Sequence, residues 1–218
     1  MVAPSGQRRS YNSQRRRQQA LDTRRSILDA AHRLFEADGY VSTTMEDIAG
    51  EAGVALKTVY SAFTTKGRLL RAVWDLLLKG DTDDAPVAQR EWYLSVLAEQ
   101  DPQRQLQLLA KGACAVKIRI GALLRVIRSA AVVDTDTAEL WHLIQSDFYE
   151  NQRAIITTIH DRGSLRTGLD PSTATDILWS LNHPDVWLLL VDQRGWTPTA
   201  FESWFADTLC QQLLPARS

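Results

Sequence analysis

Cysteine, histidine and methionine are scarce: two, four and two among 218 residues. Cys114 and Cys210 stand far apart, with no C-x-x-C or clustered His/Cys spacing, so neither zinc nor a disulfide framework is expected. Each sits in an apolar helical pattern, where cysteine acts as a small buried hydrophobe, and a reducing, cytoplasmic setting is the expectation. Long hydrophobic runs are lacking too. The longest, Val186-Trp187-Leu188-Leu189-Leu190-Val191, is far too short to span a bilayer, so no membrane partner is expected. No apolar core follows the N-terminal arginines, which excludes a secretory signal reading of that stretch. Sustained two-residue alternation is absent, so no sheet is predicted. There is no Gly-rich phosphate loop, no H-E-x-x-H and no G-x-S-x-G. Catalysis, metals and cofactors are therefore not expected.

What is present describes a helical globular protein. Hydrophobic residues make up 44% and charged residues 23%, and the length suffices for a real core. The net charge of −1 hides a division. Residues 1–80 carry 13 Lys/Arg against 8 Asp/Glu (+5), and residues 81–218 carry 12 against 18 (−6). A cationic head on an acidic body suits a polyanion that touches one end only. Residues 1–20 form a basic arm, with Arg8, Arg9, Arg15, Arg16 and Arg17 among Ser, Gln and Asn. Its composition predicts disorder up to about Gln19 and a role in phosphate or minor-groove contacts.

Helical periodicity covers most of the remainder. Helix 1 is expected over about 23–37, stopped by Gly39; helices follow at about 65–79, 88–98, 102–132, 136–161, 171–181, 184–194 and 198–214. Gly112 and Gly121 interrupt the longest of them and point to a bend or a close neighbour. The segment Gly80–Pro86 reads as the boundary between a head, 21–80, and a body, 81–218.

Thr43 to Lys66 is the most informative stretch. Thr43-x-x-Glu46 has the spacing of a capping box, and Met45, Ile48 and Ala49 supply one apolar face. Gly53 is placed where the turn needs a positive φ. A second short helix runs from Ala55 or Leu56 to about Phe63, burying Val54, Val59 and Phe63. Two short helices around such a turn make a helix-turn-helix, whose second helix enters the DNA major groove.

These residues also resemble a known family. Ile27-Leu28-Asp29-Ala30-Ala31, Leu34-Phe35, Gly39-Tyr40, Thr43-Thr44, Ile48-Ala49, Ala52-Gly53-Val54, Thr58-Val59-Tyr60, Phe63 and Lys66 are similar to the N-terminal domain of TetR-type transcriptional regulators. The resemblance covers about residues 24–75. It implies an all-α homodimer with a three-helix DNA-binding head and a larger ligand-binding and dimerisation body. It also implies repression that ends when a small molecule binds. Ala55 and Ala62 depart from the family, which commonly has a serine cap and an aromatic or histidine there.

The expected DNA-facing residues are Thr44, Leu56, Lys57, Thr58, Tyr60, Ser61 and Lys66. Thr44 offers its hydroxyl and N–H to a phosphate, or serves as a second cap. Lys57 and Thr58 reach base edges, a lysine donating to guanine and a threonine methyl meeting thymine. The family's tyrosine at the position of Tyr60 typically bonds a phosphate, and Lys66 at a helix start suits another. In the body, Ala113, Lys117 and Ile120 on the long helix, Trp141, Gln145 and Phe148 on the next, and Trp179 with His183 are the expected lining of a pocket for a mainly apolar effector. His142 and His183 are its candidate polar anchors. Leu178, Trp187, Phe201, Trp204, Phe205 and Leu209 are the expected dimer interface, packed as a four-helix bundle. The partners are thus a palindromic operator in double-stranded DNA, a small molecule and a second subunit. A ligand-independent or activating regulator, with a body that only dimerises, is the alternative.

Overall fold

The computed structural model describes the backbone of residues 6–79 and 87–216, and within these the side chains of 15–78 and 87–216. Residues 1–5 of the arm and the segment 80–86 lie outside the described residues. Every regular element described is helical: α1 (Gly6–Ser42), α2 (Met45–Glu51), α3 (Leu56–Ala62), α4 (Lys66–Lys79), α5 (Glu91–Ala98), α6 (Pro102–Ala130), α7 (Thr135–Asp161), α8 (Pro171–Leu181), α9 (Pro184–Trp187) and α10 (Pro198–Leu213). A 3-10 turn at Val87–Gln89 precedes α5, and a π-helical turn, Leu188–Gln193, prolongs α9.

Local chemistry sets many of these limits. Pro171, Pro184 and Pro198 each stand at the first helical position, where a missing N–H costs nothing. Asp170 and Thr197 cap their helices through the N–H groups of Thr173 and Ala200. Gly39, at φ 79° and ψ 172°, breaks α1 before its last residues, as its position suggested. The N-terminal part of α1 differs from expectation. Residues 6–20 are helical rather than disordered: arginine and glutamine are good helix formers, and Gln18 Nε2 donates to Asp22 Oδ1 at 2.9 Å one turn on.

The chain forms two compact units, Met1–Trp74 with Val126–Ala138, and Asp75–Arg125 with Glu139–Ser218. The division between these units falls inside α4, and the first unit also takes in the turn between α6 and α7. In the first unit Ile27, Ala31 and Phe35 of α1, Ile48 of α2, Val59 of α3 and Leu69, Leu70 and Val73 of α4 are fully buried. The second unit has one continuous core, in which Leu106, Leu109 and Ala110 of α6 join Ile155, Ile156 and Ile159 of α7, Leu178 of α8 and Phe201, Phe205 and Leu209 of α10.

The two glycines of α6 have different reasons. A Cβ on Gly112 would lie 2.3 Å from the Trp92 ring, so this glycine is the seat of an indole laid on the helix backbone. A Cβ on Gly121 would be 3.6 Å from Trp187 Nε1, an ordinary contact. Gly121→Ala is therefore expected to stabilise by roughly 1 kcal/mol through helix propensity. Gly112→Ala is expected to destabilise, because overpacking of about 1–3 kcal/mol outweighs the same gain. Opposite shifts in thermal midpoint check the pair.

Candidate nucleic-acid interface and effector site

The cap of α2 lies one residue later than expected. Thr44, not Thr43, is the N-cap: its hydroxyl accepts from Asp47 N–H at 3.1 Å, and the Asp47 carboxylate accepts from Thr44 N–H at 2.9 Å. These bonds also hold the Asp47 carboxyl below its usual range, led by the one from the Thr44 hydroxyl. Thr43 is buried instead, donating its hydroxyl to the carbonyls of Leu34 and Gly39. The Thr44 side chain is thus committed to the cap, the second of the two roles open to it.

On α3, Val59 and Phe63 are buried while Leu56 (38% exposed), Lys57, Tyr60 (49%) and Ser61 face solvent and Thr58 is half-buried. Ala55 caps the helix without a side-chain bond, as its methyl requires. Sequence reasoning missed what secures the other end. Arg24 lays its guanidinium over the Phe63 ring at 4.1 Å and donates to Ala62 O at 3.2 Å, closing a C-terminal carbonyl from α1. Nothing local in the sequence signals a partner so distant along the chain.

Lys66 departs from its expected role at a phosphate. Its ammonium turns inward, donating to the carbonyls of Tyr40 (2.7 Å) and Thr43 (2.9 Å) and lying 4.2 Å from the Tyr40 ring centre. Partial burial lowers its pKa, against the pull of Asp134. Tyr40 donates its hydroxyl to Asp134 at 2.7 Å, and burial first, then that carboxylate, raises the phenol's pKa. Asp134 also accepts from the N–H and hydroxyl of Thr137, both at 2.9 Å. Next to it Thr65 donates to Asp136 at 2.6 Å, and Gly67 leaves room for both aspartates, since a Cβ there would meet Asp136 Cβ at 2.6 Å. The exposed polar surface that remains on α3 is Lys57, Tyr60 and Ser61, flanked by Leu56.

In the second unit the structure brings together most of the expected pocket residues. Phe148 and Trp179 pack edge-on against the His183 ring, at centroid distances of 6.5 and 5.0 Å. His183 Nδ1 accepts from Asp185 N–H at 3.2 Å as the cap of α9. Its proton therefore sits on Nε2, which donates to Gln145 Oε1 at 3.3 Å. Beside this, Lys117 is 6% exposed and donates to Asn182 Oδ1. Asn182 Nδ2 in turn donates to Gln152 Oε1 at 3.1 Å, and Gln152 Nε2 to Phe148 O at 3.2 Å. Ala113 and Ile120 are buried on α6, whereas Trp141 is half-buried and takes no part in these hydrogen bonds, and His142 is exposed. A cavity of about 400 Å³ opens on the other side of α6, between Leu78, Val87, Trp92, Leu108, Ala115 and Val116 with Lys111 and Arg119 at its edge. None of the expected pocket residues lines it.

The expected dimer residues differ in burial. Leu178, Phe201, Phe205 and Leu209 are fully buried and Trp187 nearly so, all in the core of this one subunit. Period-3.6 reading found the right apolar stripe but could not say which partner covers it. Trp204 is half-buried, its ring 5.8 Å from Trp196 and 5.6 Å from Phe201.

Burial lowers the Lys117 pKa from 10.5 to about 7, against the pull of Cys114. Between these values the unfolded chain binds the extra proton, so stability climbs as pH rises through this window. Below pH 7 both states are charged and the full burial cost remains. Lys117→Met is thus expected to raise the thermal midpoint most near pH 6–7 and to flatten its rise toward about pH 10. Parallel pH series of the two proteins check this.

With the geometry described, comparison with known proteins is informative. Residues 27–73 match the family described as bacterial regulatory proteins, tetR family. The transcriptional regulator AcrR of Shigella flexneri is 42% identical over 60 residues, 28% of each chain. TtgR, an HTH-type transcriptional regulator of Pseudomonas putida, is 27% identical over 203 residues, 86% of this chain and 94% of its own. The crystal structure of NalD from Pseudomonas aeruginosa, a secondary repressor of a multidrug efflux pump, superposes over 90% of this chain and 98% of its own with a TM-score of 0.68 at 22% identity, which establishes the shared fold. TtgR and AcrR are both HTH-type transcriptional regulators. The matched residues include both short helices, Gly39, Gly53 and the inward-turned Lys66. Residues 27–73 thus match the DNA-binding domain of the tetR regulatory family, within a fold that the chain shares with NalD along most of its length.

Proposed function

We propose that this regulator is a repressor that reads a palindromic operator through α3 and leaves it when a small molecule enters the body. The observation that carries the DNA reading is the sidedness of α3. Val59 and Phe63 are buried, and Lys57, Tyr60 and Ser61 stand outward with Thr58 and Leu56 beside them. In this reading Lys57 and Thr58 meet base edges, Tyr60 and Ser61 meet phosphates, and Thr44 contributes its backbone environment at the α2 N-terminus. Arg15, Arg16 and Arg17, exposed on the N-terminal part of α1, add salt-sensitive phosphate affinity. Lys66 acts from beneath, by fixing the chain between α1 and α2.

So short a recognition helix contacts few base pairs, and useful specificity then calls for two half-sites and a two-fold dimer. The outward faces of α8 and α10, with Thr173, Asp176, Ser180, Ser203, half-buried Trp204 and Asp207, are the proposed interface. The effector site is proposed at the Lys117–Gln145–Trp179–His183 cluster. One observation favours the ligand-independent alternative: Lys117 already has Asn182 as a partner.

Selection of bound fragments from random DNA at two salt concentrations tests the DNA reading. A palindrome is expected. Lys57→Ala is expected to weaken binding by about 1–3 kcal/mol and to relax one position in each half-site, while Tyr60→Phe weakens all sequences alike. Recovery of no motif, with binding that only fades as salt rises, would end the specific-regulator reading.

A further inference from the structure

The buried polar cluster of the body has a surplus of hydrogen-bond donors. Lys117 lies wholly inside the second unit, its ammonium 5.6 and 5.9 Å from the ring centres of Phe205 and Phe201, with the neutral Asn182 Oδ1 as its hydrogen-bond acceptor. Among the described residues no carboxylate pairs with it. A buried cation without a counter-charge is costly, and an anion placed beside it would favour its charged form.

Two further donors share the cluster. Gln145 Nε2 and Trp179 Nε1 are buried and have no hydrogen-bond partner. The amide's orientation is set from outside: because Asp185 N–H occupies His183 Nδ1, the imidazole donates through Nε2, and Gln145 must present Oε1 to it. Its NH2 group is thereby turned away, unused. The neighbourhood thus holds an ammonium, an amide NH2 and an indole N–H, beside the Phe148, Trp179 and His183 rings.

We propose that Lys117, Gln145 and Trp179 form the head-group end of the effector site, and that the effector is an organic acid, a carboxylate carried on an aromatic body. A carboxylate supplies only acceptors and a negative charge, the two things the cluster lacks. It takes the place of Asn182 Oδ1 at the Lys117 ammonium, while the aromatic body stacks among Phe148, Trp179 and His183. A cationic effector would be repelled by Lys117, and a neutral hydrocarbon would leave all three donors unmet. This assignment rests on the reading of the body as an effector domain and adds the chemistry of what it takes.

The test uses full-length protein and three matched pairs of probes: salicylate and salicylamide, 1-naphthoate and 1-naphthamide, indole-3-acetate and indole-3-acetamide. Thermal midpoints and tryptophan fluorescence are read near neutral pH. At least one acid is expected to raise the midpoint in a dose-dependent way and to bind at least about tenfold more tightly than its amide. Lys117→Met is expected to abolish that difference, Gln145→Leu to weaken the acid severalfold, and Trp179→Phe to remove most of the fluorescence change. Circular dichroism of each variant establishes that it is folded. Amides that bind as tightly as acids, no shift with any acid, or acid binding that survives Lys117→Met but is lost in Arg119→Gln at the α6 surface cavity would each overturn the proposal. Affinity of the ligand-free protein for DNA is measured alongside. Its loss would sink the regulator reading, whereas specific DNA binding with no preference for acids sinks only the present inference.

Discussion

A single cation placed beneath a chain reversal holds the DNA-binding unit together. Where α1 stops at Gly39 and α2 starts after Thr44, backbone carbonyls are left without helical partners, and Lys66 from the start of α4 gathers two of them. Tyr40, stacked near Phe35 at 5.7 Å and lying under the same ammonium, passes its hydroxyl to Asp134. One side chain thereby fixes the ends of three helices, and the carboxylate it faces ties in the turn that opens α7. The geometry of α3 depends on this knot, because Val59 and Phe63 find their burial only if α1, α2 and α4 keep their places. Arg24 then closes the last carbonyl of α3 with a guanidinium stacked on Phe63. The outward row of Lys57, Tyr60 and Ser61 is a consequence of what is held behind it.

Polar chemistry organises the second unit in a different way. Its core is large and apolar, yet Lys117, Asn182 and Gln152 run through it as a chain of side-chain bonds linking α6, α7 and the end of α8. Such a chain is expensive unless every member is satisfied. Among the described residues no carboxylate pairs with Lys117, and Gln145 and Trp179 each keep a buried donor without a partner. The DNA-binding unit, by contrast, spends its half-buried cation on carbonyls that need it. Half-buried Lys66 thus has a structural role in the first unit, and buried Lys117 is the one proposed to bind in the second.

Much of the fold was legible because helices announce themselves by period and punctuation. Asp170-Pro171, Thr197-Pro198 and Gly39 set ends that the structure keeps, and Val59 with Phe63 fell on the buried side of α3 as their spacing required. What escaped was anything decided by a distant partner. Thr44 won the cap from Thr43 because Thr43 found carbonyls at Leu34 and Gly39. Lys66 turned inward because those chain ends lie under it, and no local pattern distinguishes such a lysine from one that meets a phosphate. Leu178, Phe201, Phe205 and Leu209 read equally well as core or as interface, since an apolar stripe does not name what covers it. In the body, spacing of three and four placed Gln145, Phe148, Trp179 and His183 in one neighbourhood. It could not show that Lys117 would be wholly enclosed, nor that the 400 Å³ cavity would open on the other side of α6. The basic stretch at residues 6–20 reads as disordered when its weak hydrophobicity is weighed alone, and the helix propensity of arginine and glutamine decides it otherwise.

Hydroxyl-radical footprinting of the purified protein on its selected DNA fragment tests the central claim most directly, that two outward α3 surfaces read one operator. Two protected patches related by a dyad, centred about 10 base pairs or one helical turn apart and lost with Lys57→Ala, are the expected result. Protection spread evenly along the fragment, unchanged by that substitution and erased by moderate salt, would contradict it.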